Sequence, residues 1–127
     1  MKKDSVRKII AEKEEASQLI TAAQLEKCSK IIASAMSTDS MTVIPSETQI
    51  SMVMALGKVF DEDISNTLAK YMVNKTMGTL FGNNNMAGLL ISSLDVHYVL
   101  SPIANNMTKA LGWSCTVDFA KRHNNMQ

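Results

Sequence analysis

The sequence is poor in the residues that make turns and staples. It has five Gly, two Pro and two Cys, and aromatics make up only 5%. An all-β domain of 127 residues would need more turn formers and more aromatics than this. The two cysteines, Cys28 and Cys115, form no C-x-x-C pair and no disulfide framework. They are expected to be half-buried thiols in a reducing cytoplasm. Charge of one sign is lacking too: thirteen Lys and Arg against twelve Asp and Glu leave a net charge of +1. No strong field follows from that balance, so nucleic acid is not an expected partner. Long apolar runs are missing as well. Met1-Lys2-Lys3-Asp4 leads into a charged stretch through Glu15, so no signal peptide is expected. The least polar segment, Met86 to Ala104, is interrupted by Asp95, His97 and Pro102, which argues against a spanning helix.

What is present is helical periodicity and a 46% hydrophobic content, ordinary for a folded chain. Val6, Ile9, Ile10, Ala16 and Ile20 recur at helical spacing, with Arg7, Lys8, Glu12, Glu14 and Glu15 on the other side. This predicts a charged amphipathic helix over about 5–20. Thr21-Ala22-Ala23-Gln24 has the form of a capping box that starts a second helix. Ala22 and Ala23 equally favour one continuous helix, and the spacing leaves both readings of 5–36 open. Residues 37–40 read as a loop. Pro45, with Ser46 and Gln49, opens a helix over about 46–60 whose only non-greasy strip is Glu47, Ser51, Ala55 and Lys58. So narrow a strip predicts a central helix.

After Asp61-Glu62-Asp63, Ile64 and Ser65 read as a staple and an N-cap. The next helix puts Leu68, Ala69, Met72, Val73, Thr76 and Leu80 on one face and ends near Gly82. Asn83-Asn84-Asn85 reads as a turn, 86–94 as a short apolar helix, and Ser101-Pro102 as the opening of a last helix to about Lys121. Residues 122–127 read as a short disordered tail. Val96 to Leu100 is the sole candidate strand. The fold expected is all-α: one domain over 1–127, a compact bundle of five to six helices.

Several fragments carry a resemblance. Val43-Ile44-Pro45 leads into a helix with Gln49 and Met52; Ile64-Ser65 opens another, with Gly78 late in it; then come Ala104 and Thr108-Lys109-Ala110-Leu111-Gly112. Over about 30–121 this order resembles the small helical domain of unknown function that follows Era-like GTPase domains in bacteria. A variant of that domain occurs in inner-membrane proteins. The resemblance implies a cytoplasmic helical module working with a GTPase, or lying peripherally on the inner membrane. The chain departs from that pattern at Asp61, where the family has Gly, and at Ser93-Leu94-Asp95-Val96, where it has a Pro-x-x-Gly hinge. It also has no G-x-x-x-x-G-K-[ST] motif.

No constellation for catalysis, metal or cofactor stands out. His97 and His123 lack further ligands at metal spacing. Asp95-x-His97 has no nucleophile and reads as local structure. Asp61, Glu62 and Asp63 lack the glycine and distal Glu of a calcium loop, and read as an acidic helix start. Ten Met, including Met52, Met54, Met72, Met77, Met86 and Met107, are either core filling or an adaptable groove. Asp118 shares a wheel angle with Met107 and Leu111, so either the helix has left the core there or a cation meets it. Trp113 lies with Asn106, Lys109 and Thr116 on the more polar side of the last helix. It is either packed under the first helix or a partner anchor within a polar rim. The expected function is therefore non-catalytic: a protein-interaction module, self-associating or serving as an adaptor for a GTPase-type partner. The alternative is a peripheral membrane protein whose apolar Met72–Leu100 hairpin engages lipid.

Overall fold

A computed structural model describes residues 2–86 and 97–125. The expected short helix over 86–94 falls, apart from Met86, outside the described residues, as does Asp95. Of the described residues, 79% are helical. In chain order the elements are α1 (Lys2–Leu19), α2 (Ala22–Ser34), β1 (Met41–Ile44), α3 (Glu47–Val59), α4 (Asn66–Met86), β2 (His97–Leu100) and α5 (Ser101–Asn125).

Helix starts follow local hydrogen bonding. Thr21 and Ser46 each accept a bond from the backbone N–H three residues on, and Gln24 and Gln49 return a side-chain oxygen to the cap N–H. The first box settles the 5–36 segment as two helices with a break at 20–21. Ser65 Oγ accepts from Leu68 N at 3.1 Å and starts α4. The end of α3 is closed by a Schellman motif: Asp61 N donates to Lys58 O at 3.1 Å and Glu62 N to Gly57 O at 2.9 Å. Asp61 holds the left-handed position of that motif at φ 60.

Three features differ from the expectation. First, the candidate strand at 96–100 forms over His97–Leu100, but it has a partner that was not expected: Met41–Ile44 pairs with it as a short antiparallel ladder, with Met41 opposite Leu100 and Ile44 opposite His97. Four-residue strands are too short to show a period of two, and what stabilises them is pairing between distant segments. Ser101 N donates to Ser40 O at 3.1 Å at the mouth of this ladder. Asn105 clamps the α2–β1 loop twice, through Ser37 N at 2.9 Å and Ser37 O at 3.1 Å. Second, α4 continues to Met86, through the asparagines that read as a turn, and α5 runs to Asn125, where a disordered tail was expected from 122.

Third, the hub is α5. Helix α3 is well buried, and its predicted strip holds: Glu47, Ser51 and Lys58 are exposed and Ala55 half-exposed. It packs on α2, α4 and α5, whereas α5 packs on all four other helices and both strands. The sequence hides this because α5 is lined by small or weakly polar residues. Ala104, Ala110, Cys115, Thr108, Thr116 and Ala120 are all buried, and their size lets neighbouring backbones approach. Gln49 is fully buried at the α3–α5 contact, where its Nε2 donates to Thr108 Oγ1 at 3.1 Å. That bond satisfies an amide whose burial would otherwise be costly.

Candidate functional site

Trp113, Asn106, Lys109 and Thr116 do not form an exposed cluster. Trp113 is 5% exposed, with Lys13 Nζ of α1 5.6 Å from its ring centroid. Thr116 is fully buried, and its hydroxyl donates to Gly112 O at 2.8 Å. Asn106 is half-buried, and only Lys109 is exposed. Of the two readings of Trp113, the structure bears out packing under the first helix and not the exposed anchor: α1 lies along the polar side of α5 and covers the indole. Such a cover is invisible on a helical wheel, which shows one helix without its neighbours.

Both thiols are buried and free. Burial pushes the Cys115 thiol up to about 12, and the nearby Asp118 carboxylate adds to the effect. Burial likewise raises Cys28, against a lowering hydrogen bond from Thr116. Neither sulfur is a nucleophile at neutral pH, since the thiolate is the reactive form. Among the described residues no three His, Cys, Asp or Glu side chains are grouped to hold a metal. His123 is half-buried, its ring 6.0 Å from that of Phe60. Met52, Met77 and Met107 fill the core, and Met54 and Met72 pack against it.

An open groove of about 610 Å³ lies between α4 and α5. Leu68, Tyr71, Met72 and Lys75 line one wall, following the i, i+3, i+4, i+7 spacing of a single helix face. Leu68 is 43% exposed and Tyr71 59%, large values for apolar side chains side by side. Lys75 Nζ stands 6.0 Å from the Tyr71 ring centroid. The opposite wall holds Asp118, Lys121 and Arg122. Asp118 is exposed here although Met107 and Leu111, at the same wheel angle, are buried. On this face of α5 the core has given way to the groove. Lys121 reaches Glu15 of α1 at 3.2 Å, and Arg122 reaches Glu62 at 3.5 Å while lying 5.0 Å over the Phe119 ring.

Leu68 was expected on one helix face with Ala69, Met72 and Val73, of which Ala69 and Val73 are buried and Leu68 is not; Tyr71 was not singled out. The available signal was the Leu68–Tyr71–Lys75 spacing, an apolar pair followed by a cation four residues on. No described helix is long and apolar enough to cross a membrane. Within the expected Met72–Leu100 hairpin, residues 87–96 lie outside the described ones. Compared with family models, curated proteins and solved structures, the chain matches none.

Proposed function

We propose that this chain is a non-catalytic protein-interaction module that seats an amphipathic helix of a partner protein in the α4–α5 groove. The observation that carries the reading is the exposed pair Leu68 and Tyr71 on the wall of an open groove. Tyr and Arg are enriched at binding hot spots, and Tyr71 and Arg122 both line this groove among polar groups, with Leu68 adding apolar area. Three cations, Lys75, Lys121 and Arg122, line the groove with the carboxylate of Asp118; Lys121 and Arg122 already pair with Glu15 and Glu62, so the positive excess is modest and centres on Lys75. A complementary helix presents apolar residues at i and i+3 or i+4 and carboxylates beside them. The resemblance to the domain that follows Era-like GTPases makes a GTPase-type protein the partner class of choice.

A photoreactive aromatic amino acid placed at Tyr71, in the living source cell, tests this. The expected result is one dominant cross-linked protein that disappears with Lys75→Glu and is not captured from the exposed control position Lys30. Equal cross-linking from both positions refutes the groove. A captured protein without a P-loop domain removes the GTPase assignment and keeps the groove.

A further inference from the structure

The joint between α1 and α2 is bent, although its residues carry no intrinsic barrier to a continuous helix. In the bent form, Thr21 is extended at φ −74 and ψ 162, and its side chain and that of Gln24 close a capping box. Asn124 Nδ2 of α5 donates to Leu19 O at 3.1 Å, which occupies a carbonyl freed by the break. Yet from Lys2 to Ser34 there is neither Gly nor Pro, and Ala22 and Ala23 adjoin the break. If residues 20 and 21 become helical, Leu19 O bonds Ala23 N–H instead. The result is one straight helix of about 33 residues, roughly 50 Å long.

Helix α1 is also separable. It packs on α5 and, beside the joint, on α2, and on no other described element. Ala16 is buried, Ile9, Leu19 and Ile20 are partly buried, and Ile10 is 53% exposed. Without α1, the contacts of α2, α3 and α4 with α5 and with each other remain. What α1 leaves behind is the Trp113 face of α5. A straightened α1 would point away from its own α5, and the surface that matches the contacts it lost is the same face of α5 on a second chain.

We propose that the Trp113 face of α5 is an exchange surface whose occupant is α1, its own or that of a second copy of this chain. The reciprocal exchange gives a domain-swapped dimer with a straightened α1–α2 helix. Lys13 then covers the partner's Trp113, and Glu15 pairs with the partner's Lys121. Only Lys121 is common to this surface and the α4–α5 groove, and the exchange requires no partner in the groove.

Two variants pull the joint in opposite directions. Ala22→Pro stands at the first helical position of α2, where proline is accommodated, and Thr21 already has the extended backbone that precedes a proline. In a continuous helix the same ring clashes with the carbonyl of Gln18. Thr21→Ala with Gln24→Ala removes the capping box and leaves good helix formers in its place. Sedimentation equilibrium from micromolar to millimolar concentration should show the double variant dimerising at least about tenfold more tightly than the wild type. Ala22→Pro should stay monomeric. Trp113 emission should be the same in monomer and dimer, because the indole is covered in both. Thr21→Asp, which keeps the cap and disfavours a helix interior, should behave as Ala22→Pro does and replaces it if that chain does not fold. Dimers of Ala22→Pro or Thr21→Asp as tight as wild type would overturn the proposal. So would a double variant that remains monomeric, or a dimer whose Trp113 emission shifts to the red.

Discussion

Glycine 112 sits where α5 crosses α2 and α3, and replacing it with alanine sets two effects against each other. In a helix interior, alanine gains about 1 kcal/mol over glycine. Against that, the new Cβ would stand 2.5 Å from Ile32 Cγ1, 2.8 Å from Ile32 Cδ1 and 3.2 Å from Met52 Sδ. Ile32 and Met52 are 3% and 2% exposed; Met52 borders an open cleft between α2 and α3, so its flexible sulfur can give, and the conflict rests on Ile32. Cγ1 is attached directly to the branched Cβ of Ile32, and a β-branched residue in a helix has one strongly preferred χ1. Relief therefore requires α2 to shift as a body, and overpacking of this kind costs about 1–3 kcal/mol. A shortfall of an ångström puts Gly112→Ala at the upper end, and the net expectation is a loss of about 2 kcal/mol. Gly78 supplies the control, because a Cβ there meets nothing within 4 Å. Gly78→Ala should gain up to about 1 kcal/mol. Urea unfolding followed by circular dichroism reads both as midpoint shifts at constant slope. The packing argument fails if Gly112→Ala is as stable as the wild type, or if both variants shift in the same direction.

Two further outcomes follow from the same geometry. Asp61→Gly relieves a side chain held at φ 60 in the Schellman motif. Glycine's greater freedom in the unfolded chain offsets part of that gain, leaving about 0.5–1 kcal/mol of stabilisation, read as a rise of about 3 °C in melting temperature; a lower melting temperature would contradict it. Trp113→Ala empties a site that is 5% exposed and should cost about 3–5 kcal/mol in thermal or denaturant unfolding; a loss below about 1 kcal/mol would mean that α1 does not cover the indole.

The parts of this fold that could be read from the chain are those fixed within four residues. Both capping boxes, the Ser65 N-cap and the exposed strip of α3 depend on local bonds or on the helical period alone. Of the ladder only the strand at 96–100 was a candidate; its partner could not be read, because Met41 pairs with Leu100 across nearly half the chain. Nor could the role of α5. Its alanines, threonines and glycine score as indifferent on a hydrophobicity scale, and their value is in allowing four helices to approach one. Trp113 stayed open between a covered and an exposed position because Asn106, Lys109 and Thr116 share its side. The structure buries Thr116 by bonding its hydroxyl to Gly112 O, one turn back, so a polar residue there costs little. The groove was the least legible feature. The exposure of Leu68 and Tyr71 depends on which residues do not cover them, and no local pattern encodes that.

Lys121 ties the two proposed surfaces together and also limits how strongly they are coupled. It lines the groove and pairs with Glu15 of α1 at 3.2 Å. Displacing α1 without replacing it would free that ammonium and make the groove more basic. In an exchanged dimer the partner's Glu15 takes the same place, so the charge of the groove is restored. Even the uncompensated change is small, because the two side chains are 56% and 44% exposed, and such pairs contribute about 0–1 kcal/mol. Each groove should therefore bind a partner helix with nearly the same affinity in monomer and dimer. What the dimer adds is number: two grooves on one particle, joined through a straight helix rather than a flexible linker. A partner presenting two suitable helices at the matching span gains from the second contact without any new chemistry at the first. Exchange of α1 would then govern the avidity of the module and leave the intrinsic affinity of each groove almost unchanged.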